Sequence, residues 1–216
     1  MATTTTRDPG AAGRIRRDNE RVILAAAEAE FAQHGFKGAT TAAIARRAGL
    51  PKANVHYYFG TKHDLYTRVL GNIVDLWLSA FAAISPDDDP AEALGAYIRA
   101  KVMYSKSRPL ASRLFAQEVL RGAPHIKTYL ATELRLWVER KAGVLRAWTA
   151  QGRMDPVDPV HLIFMIWAVT QHYADFDAQV VAVMDRESLD DADYERIADS
   201  VTAIILKGCG IAPAHG

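Results

Sequence analysis

Three consecutive residues, Lys52, Ala53 and Asn54, are of types that can recognise the edges of nucleic-acid bases. A lysine ammonium can donate to O6 or N7 of guanine, an asparagine amide can pair with adenine, and an alanine methyl can meet the methyl of thymine. Pro51 precedes them and is suited to opening a helix, which would place all three at the N-terminal end of that helix. This end enters the major groove when the second helix of a helix-turn-helix binds DNA, so the pattern predicts base contacts. For any single residue, the alternative is an ordinary exposed side chain.

Phosphate contacts are predicted at Thr40, Thr41 and Lys62, which lie at the expected N-termini of helices. Backbone N–H groups and the helix dipole favour an anion there. Residues 1–68 carry 11 Lys and Arg against 6 Asp and Glu, whereas residues 69–216 carry 15 against 19. The first part is therefore the basic one, as phosphate binding requires, although a surplus of five also fits an ordinary solvated domain.

Catalytic and metal-binding patterns are missing from the sequence. His56 and His63 are seven residues apart and His161 and His172 are eleven apart, and neither is a usual spacing for metal ligands. The two carboxylates of the segment 154–158 (MDPVD) favour helix capping over acid–base chemistry. There is no glycine-rich phosphate loop and no nucleophile elbow. The sequence thus predicts a protein that is not an enzyme and that uses no metal and no cofactor.

The candidate base-reading residues need a helix-turn-helix to position them, and residues 40–62 predict one. Gly49 can adopt a positive φ and marks the turn between two short helices. An apolar stripe is expected on the first helix, and two buried side chains are expected on the second. The stripe consists of Ile44, Ala45 and Ala48, and the two buried side chains are Val55 and Phe59.

The fold class predicted for the whole chain is all-α, with about nine helices and none of the period-2 alternation of strands. A flexible arm at residues 1–17, disordered over its first 13, is followed by a three-helix DNA-binding domain at residues 18–68. A helical domain for ligand binding and dimerisation follows at residues 69–216. The first helix is expected at 18–34, ended by Gly35, and a later one at 62–84 passes between the domains. The other helices are expected at 90–107, 109–121, 124–151, 161–184 and 189–208.

The segment 161–176 (HLIFMIWAVTQHYADF) is the most informative part of the second domain. It is apolar on nearly every face as far as Val169, so it should be buried on more than one side, against a core and a partner subunit. A small planar ligand needs aromatic faces and a few polar groups. Trp77, Trp167, Gln171 and Tyr173 would supply them if two helices cross; the alternative is that the aromatic residues belong to the core.

The last predicted helix carries an apolar stripe that favours a dimer. Its members are Ile197, Val201, Ile204 and Ile205. They are too many for a terminal helix that merely covers a monomer. We expect the last two helices to pair with their two-fold mates in a four-helix interface of a homodimer.

Several motifs in a fixed order resemble the TetR family of transcriptional regulators. They are EFAQHGFKGAT, IARRAGL, KANVHYYF and TKHDLY, within residues 20–70. The resemblance implies double-stranded operator DNA as a partner, a small-molecule effector, and phosphate-binding roles for His56 and Tyr57. The sequence departs from the family at Ala39, where a capping threonine is usual, so that Thr40 or Thr41 must cap the next helix. It departs again at Pro51, which replaces a serine or threonine cap.

One branch of this family matches more of the chain. The segment 161–176, Trp77, the stretch 112–124 (SRLFAQEVLRGAP) and the residues around Trp148 resemble the regulators of pyrimidine utilisation that sense uracil and thymine. The resemblance implies a pyrimidine nucleobase as effector. The alternatives are a regulator of another compound on the same scaffold, a helical protein–protein adaptor and a small helical enzyme.

The compartment predicted from the sequence is the cytoplasm. A single cysteine, Cys209, leaves no intrachain disulfide framework and fits a reducing environment. No apolar run approaches the roughly 20 residues that span a bilayer, so no membrane partner is expected.

Overall fold

The computed structural model describes residues 9–212, and it describes side chains from residue 13 onward. The chain divides into two compact units between Leu70 and Gly71. The described residues form ten helices and no strand, in agreement with the predicted all-α class. None of these helices combines the length and the apolar character needed to cross a membrane.

The first unit contains α1 (Pro9–Gly38), α2 (Thr41–Ala48), α3 (Lys52–Phe59) and the start of α4 (Lys62–Ser79). The predicted start of the first helix at residue 18 is wrong, because the helix begins at Pro9 and includes part of the predicted flexible arm and of its disordered stretch. Residues 1–8 of that arm lie outside the described residues. Gly35 has a φ of 66°, which breaks the helix as predicted, but helical turns resume as far as Gly38.

The core of the first unit is built around three aromatic rings. Phe31 is fully buried, and its ring meets that of Tyr66 edge-on at a centroid distance of 4.8 Å. Phe36 lies 5.0 Å from Tyr66. Tyr66 belongs to α4 and the two phenylalanines to α1, so this cluster holds the ends of the unit together around α2 and α3.

The second unit contains the end of α4 and six further helices. They are α5 (Pro90–Ser107), α6 (Pro109–Leu120), α7, α8 (Pro159–Asp175), α9 (Asp177–Val183) and α10 (Asp191–Gly208). In α7, Lys127–Tyr129, a π-helical turn at Leu130–Leu134 and Arg135–Ala150 follow one another without a break. The helix predicted at 161–184 is two helices instead, separated at Phe176, and the helix predicted at 62–84 ends at Ser79.

Helix α8 lies at the centre of the second unit, where it packs on α5, α6, α7 and α10. Asp158 caps its start by accepting hydrogen bonds from the N–H groups of Val160 and His161. Its residues Leu162, Ile163 and Ile166 are buried. Phe164 and Met165 on the other side are 48% and 52% exposed, so the protomer buries this segment on one side, and its burial against a partner subunit stays a prediction.

Thr40 caps α2, which decides between the two candidates left open by the sequence. The N–H of Ala43 donates to Thr40 Oγ1 at 3.1 Å. Thr41 is the first residue within the helix. The cap satisfies one of the N–H groups that a helix start leaves without an intrahelical partner.

Replacing Thr40 by alanine should lower the free energy of unfolding by about 1 kcal/mol, the usual effect of losing a side-chain cap. Thr41→Ala is the matched control and should change it by less than about 0.5 kcal/mol. Urea unfolding followed by circular dichroism measures both changes. Equal effects of the two substitutions would contradict the assignment of the cap.

Candidate functional site

The predicted base-reading residues share the outward side of α3. Gly49 has a φ of 67° and turns the chain out of α2, as predicted. Val55 then fixes which side of α3 faces inward, because it is 2% exposed. Among the predicted DNA-contacting residues of α3, Asn54 is half-buried and the others are exposed. The exposed ones are Lys52, Ala53, His56 and Tyr57. Direct base readout requires such an uncovered N-terminal half of a helix.

The two tyrosines of α3 have different surroundings. Tyr57 is 76% exposed, in keeping with its predicted phosphate contact. Tyr58 is half-buried, and its hydroxyl accepts a hydrogen bond of 3.1 Å from Asn19 of α1. Tyr58 therefore braces α3 on α1, while Tyr57 remains available to a partner. The predicted burial of Phe59 is only partial.

Lys62 has a structural role that the sequence did not indicate. Its Nζ donates to the backbone oxygens of Phe36 at 2.8 Å and of Ala39 at 3.1 Å. The ammonium also lies 4.6 Å from the centre of the Phe36 ring. Lys62 thus ties the start of α4 to the connection between α1 and α2. Its phosphate contact stays a prediction, as do those of Thr40, which is exposed, and Thr41, which is half-buried.

The start of α4 is capped by Thr61 and Asp64. The Thr61 hydroxyl donates to Asp64 Oδ2 at 2.7 Å and accepts from the Asp64 N–H at 3.0 Å. The hydrogen bonds from Thr61 lower the pKa of the Asp64 carboxyl.

In the second unit, the most unusual polar group is Lys101 of α5, which sequence reasoning missed. Its residue exposure is 2%, and its ammonium lies 4.3 Å from the centre of the Trp77 ring. Nζ donates to Gln171 Oε1 at 3.5 Å. Burial lowers the pKa of the Lys101 amine to about 7, against the opposing effect of the Asp175 negative charge. Its position in the sequence could have indicated this burial, because Leu94, Ile98 and Lys101 fall at i, i+4 and i+7 and so share one buried stripe of the helix.

Asp175, in the last turn of α8, is the acidic member of the same region. The Ser112 hydroxyl of α6 donates to Asp175 Oδ1 at 2.6 Å. Burial raises the pKa of the Asp175 carboxyl, and the Ser112 hydrogen bond and the charges of Lys101 and Arg113 partly offset that rise. A buried cation and a half-buried carboxylate are thus placed on neighbouring helices.

A cavity of about 530 Å³ opens between α6 and α8 beside these groups. Its polar lining includes Gln171, Asp175 and Arg113, and its aromatic lining includes Phe115 and Trp167. The volume lies within the range typical of small-molecule sites. The cavity therefore joins ring faces to a few polar groups, as the sequence analysis required of a ligand site.

The four predicted ligand residues are only partly brought together. Trp167 and Gln171 line the cavity. Trp77 does not line the cavity, but its ring lies edge-on to that of Phe115, which does, at a centroid distance of 5.1 Å. Tyr173 does not line the cavity: it is half-buried and packs against the hydrophobic core. Trp167 is also held in place, because its Nε1 donates to the Tyr97 hydroxyl at 2.7 Å.

Three of the four predicted dimer residues belong to the core of the protomer. Ile197, Val201 and Ile205 are 7%, 8% and 4% exposed, so they are already covered. Ile204 is 70% exposed. It borders a second cavity of about 290 Å³ between α8 and α10, together with His161 and Met165. Ile204 and its neighbours on α8 are the surface that remains for the predicted interface.

Comparison with protein-family models covers both units. Residues 23–69 match the bacterial regulatory proteins of the tetR family, and residues 70–212 match the C-terminal region of YcdC-like proteins. The chain belongs to the TetR family. The family predicted from the motifs is confirmed.

Individual relatives agree with the TetR assignment. The chain is 42% identical over 189 residues to the HTH-type transcriptional regulator RutR of Escherichia coli K12, which covers 88% of this chain and 89% of that protein. It is 30% identical to the HTH-type transcriptional repressor NicS of Pseudomonas putida, over 73% of this chain and 74% of the relative. The crystal structure of SCO4942 from Streptomyces coelicolor superposes with a TM-score of 0.66 at 26% identity, covering 85% of this chain and 96% of that one.

Membership in the TetR family confirms the predicted function as a DNA-binding transcriptional regulator that responds to a ligand. TetR regulators bind operator DNA, take up small-molecule effectors and act as dimers, so the predicted partners are confirmed at this level. The relatives named above are transcription regulators, and this role is not enzymatic.

The low pKa of Lys101 predicts a pH dependence of stability. Folding lowers the pKa of this amine from 10.5 to about 7. Between these values the unfolded chain binds a proton that the folded chain lacks, so the free energy of unfolding should rise with pH. One such group contributes at most about 1.4 kcal/mol per pH unit. Urea unfolding at pH 7.0 and 8.5 measures the rise, and Lys101→Met should remove it.

Lys106→Met is the control for this experiment, because Lys106 lies on the same helix but pairs at 2.9 Å with the exposed Asp191. It should keep the wild-type pH dependence. Parallel pH profiles for the wild type and Lys101→Met would contradict the burial of a titrating amine.

Proposed function

We propose that this regulator binds a partly palindromic operator as a homodimer and senses a pyrimidine nucleobase, uracil or thymine, in the cavity between α6 and α8. The proposal is supported above all by the lining of that cavity, where the aromatic rings of Phe115 and Trp167 lie together with the Gln171 amide. The segment of α8 that resembles the pyrimidine-utilisation branch supplies both Trp167 and Gln171 to it. The similarity to RutR over most of both chains supports the same assignment.

A pyrimidine ring fits the chemistry of the cavity. The ring has a π-face for Trp167 or Phe115, and its alternating N–H and C=O groups can pair with the Gln171 amide. Such a ring has few heavy atoms, but a ceiling of about 1.5 kcal/mol per atom still permits micromolar affinity. The alternative effector is a different, larger compound, and the 530 Å³ of the cavity favours it because a single ring would leave space unfilled.

The DNA partner would be read by α3. Lys52, Ala53 and Asn54 lie at its N-terminal end, and the two-fold related copy of α3 would read the second half-site about one helical turn, roughly 34–36 Å, away. The dimer would use the exposed apolar residues of α8 and α10, including Met165, at 52% exposure, and Ile204. We place this activity in the cytoplasm, as the sequence predicted.

Helix α4 is the proposed route from effector to DNA. It begins with Lys62 in the first unit and ends in the second unit, where it carries Trp77. A ligand that moves Phe115 would act on Trp77, since the two rings are in contact. Biasing α4 between two arrangements would change the spacing of the two α3 helices of a dimer. Coupling of this kind is typically worth about 1–3 kcal/mol.

Uracil and thymine should bind the wild type with micromolar dissociation constants in isothermal titration calorimetry. Gln171→Leu keeps the volume of the side chain but removes both amide partners, so it should weaken binding by about 1–3 kcal/mol. The control is Gln179→Leu, at an exposed position on α9. If neither base binds the wild type below millimolar concentration, the pyrimidine assignment fails and the family-level function remains.

Two substitutions on α3 should separate base reading from phosphate binding. Lys52→Ala should relax the preference at one base position, whereas Tyr57→Phe should weaken binding about equally on all sequences because it removes a phosphate hydrogen bond. Fluorescence anisotropy on an operator and its single-base variants, at two salt concentrations, measures both effects. Lys37→Ala, at an exposed site outside α2 and α3, is the control. Binding that does not change with salt would overturn the proposed interface.

A further inference from the structure

We propose that Lys101 is the specificity-determining contact of the effector site, where its buried ammonium donates a hydrogen bond to a ring carbonyl oxygen. The site would then select rings that present an N–H group between two C=O groups, as uracil and thymine do, over cytosine, which has an amine in place of one of these carbonyls and no hydrogen on the nitrogen between them. This inference rests on the proposed function, since it concerns the same cavity.

The first argument is the poor compensation of the Lys101 charge. An ammonium has three donors, and N–H···O bonds normally measure about 2.7–3.2 Å. Among the described residues, Lys101 has one hydrogen bond, at 3.5 Å, and the face of Trp77. No carboxylate among these residues lies within 4.0 Å of Nζ as an ion pair. A buried ammonium normally requires better partners than these.

Lys141 shows what a structurally compensated lysine looks like in the same unit. It is 7% exposed, and its Nζ donates to the backbone oxygen of Ala82 at 2.8 Å and to that of Ile84 at 3.4 Å. These carbonyls belong to the segment after α4, so Lys141 holds that segment in place. Lys101 makes no comparable bond to the backbone within the part of the chain that the structure describes. The Lys101 ammonium therefore has N–H groups that can donate hydrogen bonds to a ligand.

The second argument is that Lys101 contacts Gln171, a residue that lines the cavity. Gln171 lines the cavity, and its Oε1 is also the acceptor of the Lys101 hydrogen bond. A ligand carbonyl that enters beside Gln171 can replace Oε1 as the acceptor and form a shorter, charge-assisted bond. The amide of Gln171 is then released to pair with the ring. The side chain of Gln171 thus stands in for the ligand carbonyl.

Asp175 supplies the complementary acceptor. It lies one turn after Gln171 on α8 and lines the same cavity, where Ser112 holds one of its oxygens at 2.6 Å. A ring N–H next to the carbonyl can donate to this carboxylate. Lys101 and Asp175, with the released Gln171 amide on the second carbonyl, then match the imide edge of uracil or thymine, which cytosine lacks. Cytosine would turn an amine towards the ammonium and set two donors against each other, which is the kind of mismatch that gives strong discrimination.

Calorimetry with uracil and cytosine tests the proposal on the full-length protein, at a pH below the pKa of the Lys101 amine so that this group is protonated. The wild type should bind uracil at least 10-fold more tightly than cytosine. Lys101→Met should weaken uracil binding roughly 10- to 100-fold, the usual effect of losing a hydrogen bond from a charged donor, and should reduce the preference over cytosine. Lys106→Met, the same substitution on the same helix, should leave both affinities unchanged.

A thermal melt separates this role from a structural one. Replacing a buried charge by an apolar side chain of similar length commonly leaves stability unchanged or raises it, so Lys101→Met should melt at or above the wild-type temperature. Lys101→Gln is the second variant should the methionine variant fail to fold. It is expected to keep a neutral donor and to lose less affinity than Lys101→Met.

The outcomes distinguish this inference from the proposed function. Wild-type protein that binds neither base overturns the pyrimidine function and the inference with it. Wild-type protein that binds uracil and cytosine equally overturns the inference alone, as does unchanged uracil affinity in Lys101→Met or Lys101→Gln. A loss of uracil affinity with an unchanged or raised melting temperature supports Lys101 as the residue that reads the carbonyl.

Discussion

The second unit depends on the burial of one side of α8, which packs on four other helices and carries polar side chains in its last two turns. Thr170 is fully buried, and its hydroxyl returns to the carbonyl of Ile166 at 2.7 Å, while Ser105 of α5 donates to the Thr170 carbonyl at 2.7 Å. Buried polar groups must find such partners, because an unmet hydrogen bond costs more than a met one contributes. Ser105 of α5 and Ser112 of α6 meet this need, since each donates a short hydrogen bond to an oxygen of α8.

The same constraint shapes the cavity. The end of α8 leaves carbonyl groups without intrahelical partners. Arg113 of α6 meets this need, since its Nε donates to the Ala174 carbonyl at 2.9 Å and its guanidinium pairs with Asp177 at 3.3 Å. The clamp fixes the end of α8 beside α6, and the chain turns into α9 at Phe176. The cavity lies beside this clamp, since Arg113 and Asp175 both line it.

Local signals made most of the fold predictable. Gly49, Asp89 and Asp158 occupy turn and cap positions whose chemistry is set by neighbours within a few residues, and each does what its type predicts. The stripe on α10 is covered within the protomer except at Ile204. Apolar spacing shows that a face is buried and does not show whether the protomer or its partner covers it. Lys101 was missed because a lysine in a helix is usually solvated, and only the packing of α5 on α8 reveals that this one is enclosed.

Helix α4 is anchored by a lysine and an aromatic ring at each end. At its start, Lys62 lies over Phe36 and bonds two carbonyls, and near its other end the Trp77 ring lies under Lys101. The contacts of Lys62 lie within the first unit and the contact of Lys101 lies within the second, so each end of α4 is held inside its own unit. An effector bound as we propose would draw the Lys101 ammonium away from the Trp77 face and so weaken only the contact in the second unit. The free energy released or required there, on the order of 1–2 kcal/mol for a desolvated cation–π contact, is comparable with the coupling that a ligand-responsive regulator needs.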